Sequence, residues 1–228
     1  MTLMIRLIKI GIGIGLLLLI LLGASLLNYY NEQKLIIKEK DPGLTREDLA
    51  IYEQRMADGL KRLSEATTDE EKYELYLYLG QQKYGLGKYA EAKDYYKNAE
   101  QYNPNREYGV YTLLYQVELD MRDNQAAKKS ILTALELGHK VADNWLKYII
   151  LEKDRLGADN DRLIQIYQDA FSATAGTVGE INIVTSYAQF LESIGQLDKS
   201  IQNWEKATVL YPERKAVYEA EIDRIQKK

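Results

Sequence analysis

Cysteine is absent from the 228 residues, and histidine occurs once, at His139. The first absence excludes disulfides, thiolate metal sites and a cysteine nucleophile. The second excludes a histidine-pair metal site and paired-histidine acid/base chemistry. No block of basic residues is present, so the electrostatic footprint of a nucleic-acid binder is missing. Charged residues make up 28% of the chain with both signs interspersed, as a solvated surface requires, and the formal net charge is -4. No nucleophile elbow or recognisable carboxylate pair stands among the Ser, Asp and Glu residues. The expectation is therefore a protein that is not an enzyme and holds no cofactor and no metal. Phenylalanine occurs only twice, against 19 tyrosines, an imbalance that calls for a physical reason.

A long apolar run is present at the start. Residues 10–27, IGIGIGLLLLILLGASLL, carry no charge, with Arg6 and Lys9 ahead of them and Tyr29 and Tyr30 just behind. As a helix the run is roughly 27 Å long, close to the hydrocarbon thickness of a bilayer, and the flanking rings suit the far interface. Residues 10–28 are thus expected to be a single transmembrane helix behind a short tail, residues 1–9. Two other readings compete. A cleaved signal peptide would use Gly23-Ala24-Ser25 as its small-residue site, and a phosphate-cradling GIGIG loop would need a preceding strand, a third glycine at the required spacing and a following polar helix, which are missing. Gly11 and Gly15 form a G-x-x-x-G pair that would let two such helices approach closely. The positive charges abutting the run favour the amino terminus in the cytoplasm and the acidic remainder outside.

Residues 29–43 read as a juxtamembrane stalk ending at the breaker Asp41-Pro42-Gly43. Thr45 and Asp48 then suggest a helix cap, and Leu49, Tyr52, Met56, Leu60 and Leu63 recur at helical spacing, so residues 44–68 are expected to form a helix that caps the downstream part of the chain.

Beyond Tyr73 the chain repeats itself. Residues 73–106 place Tyr76, Leu79, Gly80, Tyr84, Gly87, Tyr89, Ala92, Tyr96, Ala99 and Pro104 at intervals that return in residues 107–142, 143–180 and 181–213. Small residues on one helix let another cross closely, and tyrosines fill the volume that the small residues leave. Gly87 is suited to a left-handed helix end, and Pro104 to a helix stop. In the second unit the offset is 34, with one residue gained in the turn at Arg122 to Gln125; the third unit is the most degenerate. Residues 214–228, with Tyr218, Ile222 and Ile225 on one side, read as a solvating end helix.

This pattern resembles the tetratricopeptide repeat (TPR). The resemblance implies an all-α fold, a right-handed α-α superhelix whose concave face is lined by the first helix of each unit and holds peptides. It implies groove positions at Leu77, Gln81 and Tyr84 in the first unit and Tyr108, Tyr111 and Tyr115 in the second. Lys147 in the third unit is another, as are Asn182, Thr185 and Gln189 in the fourth. The lysine, asparagine and arginine of the family's dicarboxylate clamp are missing where Leu77, Gln81 and Leu113 stand. His139 takes a helix-end place matching Pro104. The functional expectation is a membrane-tethered scaffold for protein–protein interaction, bound to the lipid bilayer through its first helix and to a protein or peptide partner in its groove. It would serve an envelope, secretion or translocation assembly on the periplasmic side of a bacterial inner membrane. The alternatives are a cytosol-facing receptor and a self-assembling, homo-oligomeric structural protein.

Overall fold

The computed structural model describes residues 36–103 and 105–227. The tail, the apolar run of residues 10–28 and residues 29–35 of the stalk lie outside the described residues, as does Pro104. Among the described residues no helix is long and apolar enough to cross a membrane, and all regular structure is helical.

An extended segment, residues 36–43, leads into α1 (Arg46–Glu65), whose start is fixed by a capping box between Thr45 and Asp48. Four helix pairs come next. They are α2 (Asp69–Gly85) with α3 (Tyr89–Gln101), α4 (Gly109–Asp120) with α5 (Asn124–Leu137), α6 (Ala142–Asp154) with α7 (Asn160–Thr174), and α8 (Glu180–Ser193) with α9 (Leu197–Leu210). A short 3-10 turn precedes α10 (Lys215–Gln226). Each helix packs on its chain neighbours, and the core is a row of seams.

Large side chains meet small ones across each pair. Tyr96 of α3 is buried over Gly80 of α2, where an added Cβ would collide with the ring. At the matching places the second pair has Tyr115 and Ile131, and the fourth has Ala188 and Trp204, so the ring stands on the first helix in one pair and on the second helix in the other. Ala99, Ala134, Ala170 and Ala207 are each fully buried one turn further on. The tyrosine excess has its reason here, because a ring that fills a seam from one side can place its hydroxyl on a neighbour's polar group. Tyr115 donates to Lys147 O at 3.1 Å, and Tyr167 lies 2.8 Å from Ser186 Oγ.

The turns inside the pairs set the register. Gly87 (φ 68°) and Gly195 (φ 78°) close α2 and α8 in the left-handed region, and the next N–H along reaches back five residues: Lys88 to Lys83 O, Gln196 to Leu191 O. Arg122 does the same work at φ 63°, with Asp123 N–H on Glu118 O at 2.8 Å. The second turn thus has the length of the first, and the residue expected within it lies ahead of α4 instead. Positions in α4 match those in α2 at an offset of 35, one more than the sequence repeat suggested. The cost of a side chain at φ > 0 is about 1 kcal/mol. Arg122→Gly is accordingly expected to raise the unfolding free energy by roughly 0.5–1 kcal/mol in urea titrations, net of the entropy glycine adds to the unfolded chain.

Two seams carry the same buried ion pair. Lys93 of α3 binds Glu118 of α4 at 2.9 Å, and Lys128 of α5 binds Glu152 of α6 at 2.7 Å. Both glutamates are 4% exposed, and Ser130 donates to the other oxygen of Glu118 at 2.6 Å. The third seam has Ile164 and Leu191 at the matching places.

Candidate functional site

The first helices α2, α4, α6, α8 and α10 present one face, and polar side chains tie them to one another across it. Asp120 of α4 accepts from the Tyr84 hydroxyl of α2 and from Gln116 Nε2 at 3.2 Å. Burial, and then the hydrogen bond to Asp120, pushes the Tyr84 phenol up to about 12. Thr112 Oγ1 of α4 lies 3.3 Å from Asn144 Oδ1 of α6. Arg224 of α10 forks onto Glu192 of α8 with two contacts of 2.7 Å. These bonds fix the spacing of the first helices, so the face between them is preformed.

A recess on that face near the C-terminal end lies between α8 and α10 and measures about 490 Å³. Asn182, Thr185 and Gln189 line it from α8, Val217 and Tyr218 from α10, and Arg214 stands beside them. Trp204 of α9 also lines it. Its ring is 4% exposed and stacks on Tyr218 at 5.9 Å, and its Nε1–H has no hydrogen-bond partner among the described residues. A buried indole N–H normally finds an acceptor, so this donor is an unmet polar atom in the wall of the recess, closed to solvent in the structure described. At the start of α8, Glu180 is held below the usual carboxylate range by Lys206 and by the Gly176 N–H.

The sequence-predicted positions separate into groups. Leu77 and Tyr84 are half-buried on α2, and Gln81 is exposed between them. Gln189 is exposed and lies in the recess with Asn182 and Thr185. Lys147 is half-buried and paired with Asp143 one turn back on α6, and burial lowers its pKa. The tyrosine trio does not form one stripe. Tyr115 is 3% exposed, at the place Gly80 takes in the first pair. Tyr111 points to the opposite side, lining a 270 Å³ hollow with Lys93, Lys97, Ser130 and Thr133 of α3 and α5. Tyr108 lies at the start of α4, 39% exposed, its ring against Gly138. The shifted register brings Thr112, Gln116 and Leu119 to the places that Leu77, Gln81 and Tyr84 hold in α2. Sequence reading missed these three because the positive-φ residue that marks the turn is an arginine. It also missed Trp204 as a lining residue, since a tryptophan at a repeat's core position signals packing alone. His139 is exposed, and its carbonyl accepts Trp145 Nε1–H at 2.7 Å.

No protein-family model matches the chain, and no curated protein matches it either. Solved structures do. MamA protein is 22% identical with a TM-score of 0.54, the match covering 76% of this chain and 90% of that one. BtubC from P. vanneervenii is 13% identical with a TM-score of 0.56, covering 77% and 83%. A thermophilic TPR protein in Thermus thermophilus is 16% identical with a TM-score of 0.48, covering 80% and 94%. Helix pairs closed by matched left-handed turns, sealed by a small residue against a ring and stacked each on the next, give this chain the tetratricopeptide-repeat fold.

Proposed function

We propose that the protein is a membrane-tethered scaffold that holds a partner polypeptide against the face of its first helices, with the recess between α8 and α10 as the anchoring subsite. The observation that carries this reading is the recess itself, where the Asn182 and Gln189 amides, the Thr185 hydroxyl and Arg214 come together beside the exposed Val217. Amide and hydroxyl groups set among apolar side chains in a mixed polar and apolar hollow match an extended peptide backbone. The polar links across the face pre-organise it, which lowers the entropic cost of binding. The apolar run of residues 10–28 supplies the tether, and the acidic repeat array stands on the extracytoplasmic side. Confinement at the membrane raises the effective concentration of a co-resident partner, so modest affinity serves. An accessory role in an envelope, secretion or translocation assembly fits these properties.

The test uses the full chain in native membranes with a photo-crosslinking residue at Gln189, and the same residue at Lys129 on α5 as control. A polypeptide is expected from the first position and not from the second. Asn182→Leu removes one exposed amide from the recess and with it a hydrogen bond worth about 0.5–1.5 kcal/mol, so capture should fall by up to about tenfold with helicity unchanged. Equal capture by the variant would remove the subsite from the account. A reporter fused after Lys228 that is active only outside the cytoplasm must be active.

Self-association is the second reading, and the two ends of the stack favour it. Leu49, Ile51 and Leu60 of α1 are exposed at one end, and Val209, Leu210, Tyr211 and Val217 at the other. Unlike end faces that stack give an open, head-to-tail array. Sedimentation of a fragment starting at Ile36 separates the readings: a monomer discards the array.

A further inference from the structure

The segment ahead of α1 is docked, not free. Ile36 packs against the seam of the first two pairs, and Ile37 N–H donates to Met121 O at 2.8 Å. Further on, Ala90 N–H donates to Lys38 O at 3.0 Å and Lys40 N–H to Gly87 O at 2.9 Å. Glu39 pairs with Lys88. The chain therefore runs as an extended strap along one edge of the stack, from the turn of the second pair to the turn of the first. Gly87 is required for a second reason beyond its left-handed backbone, because an added Cβ would collide with Lys40 O. At Gly195, in the equivalent turn of the fourth pair, nothing approaches.

From this we infer that the strap fixes how the repeat array sits on the bilayer: the edge carrying the intra-pair turns of the first two pairs faces the lipid surface, so these helices stand upright on it and the first-helix face opens sideways. The inference rests on the membrane-tether reading. Its argument is one of reach. Residues 29–35, between the apolar run and the strap, span about 25 Å at most when fully extended. To set the opposite edge on the membrane they would have to climb the length of α4, whose 12 residues measure about 18 Å. About 7 Å would then be left, no more than the depth of one headgroup layer, so that placement would hold the segment fully stretched. A partner lying across the first helices consequently runs parallel to the membrane plane.

Because the chain has no cysteine, single labels can be placed without background. Gln125→Cys and Glu136→Cys both lie at exposed positions of α5, one beside the turn edge and one toward the other edge. Upright, they differ in height by about 16 Å. Each full-length variant, carrying a donor fluorophore, is reconstituted into phosphatidylcholine vesicles containing acceptor-labelled lipid. Energy transfer is expected to be stronger from position 125 than from position 136. Ile37→Pro combined with Lys40→Pro removes both strap donors without touching a helix, and the difference should then vanish while circular dichroism stays unchanged. Equal transfer, a reversed order, or a difference that survives the proline variant overturns the inference. Vesicle flotation separates the two levels: a chain that does not float with the lipid fails as a tethered protein and takes the orientation with it, whereas a floating chain with equal transfer fails only on the strap.

Discussion

Tyr96→Ala is expected to lower the unfolding free energy by about 3–5 kcal/mol, the range for removing a buried aromatic ring from a close-packed core. The ring is 2% exposed and fills the space over Gly80, which has no side chain with which to collapse into the cavity. Urea titrations read the loss, with the slope unchanged if only the seam is affected. The same geometry predicts a compensating pair. Gly80→Ala alone overpacks the ring and should cost about 1–3 kcal/mol, while in Gly80→Ala with Tyr96→Ile the smaller side chain leaves room for the added methyl. The double variant should lie well above the sum of the singles, since residues in contact do not add. Strict additivity would show that the two positions do not share one volume.

Lys93→Ala is expected to cost about 3–5 kcal/mol, because it leaves the Glu118 carboxylate buried without its cation. Lys93 also reaches Asp123 at 3.4 Å, so one lysine serves two carboxylates on α4 and its turn. Replacing both partners, as Lys93→Ile with Glu118→Leu, copies the residues of the third seam, Ile164 and Leu191, and should restore most of the loss. A thermal or urea measurement that finds the single and double variants equally unstable would mean that packing around the pair, not its charge, holds this seam. The pair also has a selective effect. Two seams use a matched charge and one is apolar, so a slipped stacking of the second helix of one pair on the wrong neighbour would bury a lone charge.

The sequence displayed the stack because its rule is one of volume: Leu79, Gly80, Ala92, Tyr96 and Ala99 are a size pattern, and size is what residue identity reports. It displayed the helix ends at Gly87 and Gly195 because glycine advertises the left-handed backbone. Arg122 adopts the same backbone without advertising it, and this one silent turn moved the expected groove positions of α4 by a residue, turning Tyr115 from the face into the seam. The strap left no trace for a different reason. Its bonds run between backbone N–H and C=O groups, which every residue but proline supplies, so no spacing or composition marks them. The recess was half visible. Asn182, Thr185 and Gln189 come from the repeat, but only the folded arrangement reveals that the Trp204 N–H lacks an acceptor.

The strap also changes how the stack comes apart. In a solenoid each unit touches only its neighbours, and such arrays tend to fray from either end. Here Ile37 is bonded to Met121 and Lys40 to Gly87, so α1 and the first two pairs are stitched together from outside, whereas the last pair is closed only by α10. Melting should therefore begin at the carboxyl end, beside the recess, and the half nearest the tether should give way last and in a single step.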